Sequence, residues 1–206
     1  DYEGAIASYR QALELEPDNR GAEWNMALAQ LALGNYSEGF RRYESRKNDV
    51  AIAGIYSRPI EAPEWRGPEI GVRERILVLH EQGLGDTIQF SRYIGLMGLA
   101  GFDVSVLAPP PLHRLLSDIP GVSQVSDSID LARKFDAFCY VMSLAYFYKT
   151  TVTDIPYSDS PYLFAREDLK AKWQSIRSAN VHRPVVGVDR FRIDAVRNNQ
   201  QPKTFR

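Results

Sequence analysis

The chain has 206 residues, with 25 Lys and Arg against 26 Asp and Glu, and a formal net charge of −1. That balance excludes a general electrostatic surface for nucleic acid or an anionic membrane. With 44% hydrophobic and 25% charged residues it has the composition of a soluble globular chain, long enough for one large domain or two small ones.

The first 50 residues repeat with a period of 34. Tyr2, Ala5, Ile6 and Tyr9 correspond to Tyr36, Gly39, Phe40 and Tyr43. Between them lie Ala12-Leu13-Glu14-Leu15-Glu16-Pro17-Asp18-Asn19, then Trp24-Asn25-Met26-Ala27 and Leu33-Gly34-Asn35-Tyr36. Small residues where helices cross, aromatics in the grooves between them and a proline ending a helix resemble the tetratricopeptide repeat. The match covers the second helix of one repeat and both helices of the next. Arg46 departs from the pattern, standing where the register with Ala12 expects a small residue; a terminal repeat packed on something different tolerates that change. Further repeats are expected before Asp1. The repeat helices are either a protein- or peptide-binding surface or a spacer.

Residues 51–74 read as a linker with Pro59, Pro63 and Pro68, in which Trp65 is an aromatic anchor onto the next domain. From residue 75, strand and helix signals alternate. Strands are expected at 75–80, 103–108, 122–126, 135–141 and 184–188. Helices are expected at 86–99, 110–118 and 166–179, with a short turn near 143–149. Short strands separated by helices predict βαβ units, hence an α/β fold with a Rossmann-like parallel sheet and helices on both sides. The expected organisation is repeat helices over 1–50, linker over 51–74, a Rossmann-like domain over 75–188 and a divergent tail over 189–206.

The run Glu81-Gln82-Gly83-Leu84-Gly85-Asp86-Thr87-Ile88-Gln89-Phe90-Ser91-Arg92-Tyr93 follows the first strand. Glycines 83 and 85 are read as making the sharp turn and allowing a ligand to approach the backbone, and the helix start beyond them favours negative charge. It is not a dinucleotide fingerprint, because Ile88 stands where a third glycine belongs, and no phosphate-loop lysine motif occurs. Asp86 has two readings at this point. It is a helix N-cap with Gln89 completing a capping box, or it is a reactive carboxylate. His80 either ends the strand with a satisfied ring or serves the site, and Glu81 is either solvated or functional. Gln82 is placed to orient a hydroxyl or to make a structural bond. Arg92 is placed for a diphosphate contact or a helix-surface ion pair. Cys139, the single cysteine, lies in an apolar run and reads as a buried hydrophobe rather than a nucleophile. His113 and His182 show no metal-ligand spacing. No apolar run reaches the length of a membrane span, no signal peptide is visible, and one cysteine suits a reducing compartment, so a cytoplasmic location is expected.

Together with Trp65-Arg66-Gly67, Phe135-Asp136, Ser143-Leu144 and Pro161-Tyr162-Leu163, this run resembles bacterial tetratricopeptide-repeat glycosyltransferases. Their two-domain, Rossmann-like (GT-B) region is similar to the heptosyltransferases and, more distantly, to protein O-N-acetylglucosamine transferases. The resemblance covers about residues 1–188. It implies that this domain is the amino-terminal, acceptor-binding lobe, with Asp86 as general base and Gly83, Gly85, Gln82 and Arg92 around the acceptor. No metal and no resident cofactor are expected; the resemblance implies a nucleotide-sugar donor only for an enzyme with both lobes. After Pro184-Val185-Val186-Gly187-Val188 the family continues into a donor-binding lobe. Here the chain has instead a tail with five basic and two acidic residues and little apolar periodicity. The chain is therefore expected to be inactive alone, and a non-catalytic repeat module for protein partners stands as the alternative.

Overall fold

Asn19 opens the helix that carries the repeat into the rest of the molecule: its side chain accepts the Ala22 N–H at 2.9 Å, an N-cap bond. In the computed structural model, which describes residues 1–48, 60–68, 73–128 and 134–179, the chain divides into two compact units, Asp1–Phe164 and Ala165–Arg206. The first begins with three helices, α1 (Tyr2–Leu15), α2 (Arg20–Ala32) and α3 (Tyr36–Tyr43). Small residues stand where α2 and α3 cross, as the repeat pattern predicts. A Cβ on Gly39 would lie 2.8 Å from Leu31 Cδ2, too close for a larger side chain. α1 runs for 14 residues, whereas α3 stops after eight and tightens into a 3₁₀ turn over Glu44–Asn48.

Four strands come next: β1 (Arg75–Leu79), β2 (Asp103–Leu107), β3 (Val122–Ser126) and β4 (Ala137–Tyr140). All pair in parallel, in the order β3-β2-β1-β4. Helix α4 (Leu84–Leu99) links β1 to β2, and α5 (Pro110–Ser117) links β2 to β3. After β4 come a 3₁₀ turn (Val141–Ser143) and a single helical turn, α6 (Leu144–Phe147). The linker anchor joins the sheet outside β4: Trp65 N–H donates to Phe138 O at 2.7 Å and Phe138 N–H to Pro63 O at 3.0 Å. Trp65 is buried, its ring edge-on to Phe102 and Phe147 at 5.6 and 5.7 Å. The second unit contributes α7 (Glu167–Ala179). The expected strand at 184–188, His182 and the tail over 189–206 lie outside the described residues.

Strand residues sort by alternation. Ile76, Val78, Val104, Val106, Ala137 and Cys139 face the larger core, which also takes in Ile94 and Met97 of α4, Leu112 and Leu116 of α5, and Ala27 and Tyr43 of the repeat helices. Leu77, Leu79, Leu107 and Tyr140 face the other way, against Ile60, Phe135 and Phe138. Helices on both sides were expected, but among the described residues of this unit α4, α5 and α6 pack on one face. The cause is topological. Strands β1, β2 and β3 advance in one direction, so right-handed crossovers place both connecting helices on the same side.

Close approach of α4 to the turn before β3 depends on Gly98, where a Cβ would sit 2.0 Å from the Pro120 carbonyl oxygen. Backbone cannot yield as a side-chain tip can. Gly98→Ala is expected to lower the unfolding free energy by about 3 kcal/mol, read as an earlier urea midpoint with an unchanged slope.

Candidate functional site

Parallel α/β sheets bind ligands beyond the carboxyl ends of their strands, at the point where the strand order reverses. In the order β3-β2-β1-β4 that point lies between β1 and β4. Two short segments lead away from it, His80–Gly83 after β1 and Val141–Ser143 after β4.

A side chain from the repeat segment reaches both. Arg46 in the 3₁₀ turn is fully buried, and Glu81 is 1% exposed. The Arg46 guanidinium donates Nε to Glu81 Oε2 at 2.9 Å and Nη2 to Glu81 Oε1 at 2.8 Å. Nη2 also donates to Ser143 Oγ at 2.8 Å, while Nη1 donates to the Tyr43 carbonyl at 3.1 Å and to Glu44 Oε1 at 2.7 Å. Every one of the five guanidinium N–H groups thus has an acceptor. Glu81 Oε1 additionally accepts the Met142 N–H at 2.9 Å, so one carboxylate joins the β1 loop, the β4 loop and the repeat. Burial weakens the Arg46 hold on its proton, but the Glu81 hydrogen bonds and charge outweigh this and hold its pKa above the ordinary value. The solvated reading of Glu81 is corrected: it is a buried structural anion. The small-residue mismatch at Arg46 was the sequence signal for this contact.

The turn itself also differs from expectation. Neither Gly83 nor Gly85 supplies it: Gly83 has φ −92 and ψ 164, open to any residue, and Gly85 lies inside α4. The left-handed residue is Gln82, with φ 56. Its side-chain Nε2 donates to the Tyr43 hydroxyl at 2.8 Å, and Tyr43 stacks on Trp24 with centroids 4.8 Å apart. Burial raises the Tyr43 pKa, against the lowering effect of the Gln82 bond, so this phenol stays protonated at neutral pH.

Helix α4 starts two residues before the expected position. Gly83 is its N-cap, Asp86 stands at N3, and Asp86 Oδ2 accepts the Gly83 N–H at 2.9 Å. The reading of Asp86 as N-cap with Gln89 at N3 is corrected accordingly. The capping contact is the reach-back arm of a capping box. The second Asp86 oxygen has no hydrogen-bond partner among the described residues, and a Cβ on Gly85 would meet open space. Arg92 is six residues further along, about 120° around the helix. It donates to Gln89 O at 2.9 Å and Pro156 O at 3.3 Å, with its guanidinium 4.6 Å from the Tyr162 ring centroid. That arrangement secures the 156–162 segment.

His80 Nδ1 is 2.6 Å from Thr87 Oγ1. The ring borders a cavity of about 260 Å³ with Leu107, Ala108 and Asp127 at the strand tips. His113 bonds the Ala108 carbonyl at 2.8 Å. Cys139 is fully buried, and burial pushes its thiol pKa up, which keeps it protonated and unreactive. Among the described residues no group of three or more His, Cys, Asp or Glu is placed to hold a metal ion, and no helix is long and apolar enough to cross a membrane.

The TPR repeat family matches residues 1–34, the span that contains α1 and α2. No curated protein and no solved structure matches the chain. The repeat supports a module for protein–protein interaction.

Removing one member of a buried pair strands the other's charge. Arg46→Met is expected to cost about 3–5 kcal/mol, and Arg46→Met with Glu81→Leu to recover most of that loss, both measured by chemical denaturation. Glu44 adds a pH dependence. Burial raises its pKa, but Arg46 and Lys47 outweigh that and leave it below the ordinary 4.5. A lowered folded pKa contributes stability above the unfolded value and loses it as pH falls through the folded one. Comparing Glu44→Gln with wild type should therefore show a stability difference at pH 7 that shrinks steadily below pH 4.5.

Proposed function

We propose that this chain is the acceptor side of a sugar-transferring enzyme, with the hydroxyl to be glycosylated bound beside Asp86. The carrying observation is the state of the Asp86 carboxylate. One oxygen is fixed by the Gly83 N–H, while the other is left to take a proton, next to a glycine whose missing side chain leaves open space. The resemblance of the 81–93 run to glycosyltransferase acceptor lobes supports the same assignment. In that chemistry Asp86 accepts the hydroxyl proton as the acceptor oxygen attacks the anomeric carbon of a nucleotide-sugar, and the bond to the diphosphate breaks. A fixed carboxylate at a helix start loses little orientation freedom on catalysis. Gln82, Gly83 and Gly85 border the acceptor, and Arg92 supports it by holding the 156–162 segment. The donor's diphosphate requires a second lobe, and the sheet of the described residues is a single four-stranded one. A cytoplasmic setting suits a nucleotide-activated donor.

A second reading, a non-catalytic interaction module, is favoured by the filled crevice: Arg46 and Glu81 occupy the point where such sheets take ligands. Asp86→Asn separates the two. In a protein with both lobes the sugar-transfer reading expects turnover to disappear while the melting temperature stays within a few degrees. Retained turnover with a loss of about 1 kcal/mol of stability would mark Asp86 as a helix cap alone. The 206-residue chain by itself is expected to release no nucleotide diphosphate from UDP-, GDP- or ADP-linked sugars.

A further inference from the structure

On the outer side of β4, away from Asp86, a cavity of about 540 Å³ opens between the end of the repeat helices, the Glu64–Arg66 anchor and α6. Its wall and floor carry Trp65, Tyr146 and Phe147, of which Tyr146 is exposed. Two carboxylates and three cations share the lining. Glu44 is held by Arg46 and Lys47, and Glu64 by Lys47. Lys47 is thereby consumed, and its ammonium also lies 5.8 Å from the Phe147 ring centroid. Arg66 and Lys149 remain. Both line the cavity, and neither has a side-chain partner among the described residues. The cavity thus combines an aromatic surface with two positive charges that have no partner among the described residues.

A left-handed backbone position lies beside Arg66 and at Lys149. Arg66 precedes Gly67, whose φ of +117 lets the turn lie against the Phe147 carbonyl, 3.4 Å from where a Cβ would sit. Lys149 comes after α6 with φ 52. Lys149 N–H donates to Tyr146 O and Thr150 N–H to Ala145 O, at 2.9 and 3.0 Å. This is the helix-ending motif in which glycine is the usual residue, because the left-handed conformation carries a steric cost for any side chain. Lysine at this position puts an ammonium at the cavity rim at the expense of local stability.

We propose that this cavity is a docking site for an acidic segment of a protein partner, carboxylates meeting Arg66 and Lys149 and an adjoining apolar side chain resting on Tyr146 and Phe147. The charge surplus selects anions, the aromatic surface selects a peptide over a bare ion, and the adjacent repeat makes a protein the matching source. The proposal is independent of sugar transfer at Asp86, which it neither uses nor obstructs.

The probe is an acetylated, amidated Asp-Glu-Phe-Glu-Asp peptide, compared by calorimetry with its Asn-Gln-Phe-Gln-Asn counterpart and with citrate. Expected are saturable binding of the acidic peptide that weakens as salt rises, and about tenfold weaker binding of the neutral one. Arg66→Glu with Lys149→Gly should reduce acidic-peptide affinity by about tenfold or more. Lys149→Gly alone should weaken binding while raising Tm by about 2 °C, a combination that unfolding cannot produce. Equal binding of acidic and neutral peptides, or an unchanged affinity in the double variant, would overturn the proposal. Citrate binding as tightly as the peptide would replace the protein partner with a small anion.

Discussion

The rest of the structure depends on one ion pair. Arg46 and Glu81 are both removed from solvent and joined by two parallel hydrogen bonds. A buried pair of this kind contributes little net stability compared with well-packed apolar residues, since desolvating the two ions costs several kcal/mol each before their attraction offsets it. Its consequence is geometric. A guanidinium with all five donors satisfied fits one arrangement of its acceptors, and those acceptors come from the repeat end, the β1 loop and the β4 loop. The pair therefore fixes where the repeat helices meet the sheet. The third helix stops after eight residues, and the 3₁₀ turn over Glu44–Asn48 that follows it carries Arg46.

Around that contact, apolar packing makes the repeat part of the same core as the sheet. Ala27 and Tyr43 belong to the cluster that contains Ile76, Val78 and Met97, and Phe40 meets Phe90 edge-on with centroids 6.2 Å apart. A repeat helix whose apolar face is buried this way cannot present that face to a peptide. Any partner must use other surfaces, which is why the outer face of α1, with Tyr2 and Leu15 exposed, and the cavity beside the repeat end differ in kind from the buried side of α3.

Much of this was legible in the chain. Strands β1 and β4 were readable because apolar residues run almost continuously where both faces of a parallel strand are covered. The repeat was readable because residue size and a period of 34 agree. Trp65 as an anchor could be read from an aromatic isolated among prolines. Three features resisted. Gln82 takes the left-handed position although two glycines stand close by, because the tertiary bond from its amide to Tyr43 determines the turn. The start of α4 was displaced because glycine itself serves as an N-cap. Glu81 looked solvated because its partner lies 35 residues upstream, and periodicity within either segment carries no information about a contact between them. Only the oversized residue in a small-residue slot, Arg46, marked that something across the interface had to receive it.

Filling the reversal point of the sheet redistributes where chemistry can occur. With Arg46 and Glu81 lodged between the β1 and β4 loops, the β1 side of the carboxyl edge carries, among the described residues, the α4 start with Asp86 and the hollow bounded by His80, Ala108 and Asp127. The two are linked, because His80 Nδ1 meets Thr87 Oγ1, one residue beyond Asp86. Thr87 is buried in the first turn of α4, and the start of that helix holds Asp86 through the Gly83 N–H. The repeat segment, by supplying Arg46, ties the β1 loop to the β4 loop at the same edge of the sheet that carries His80 and Asp86.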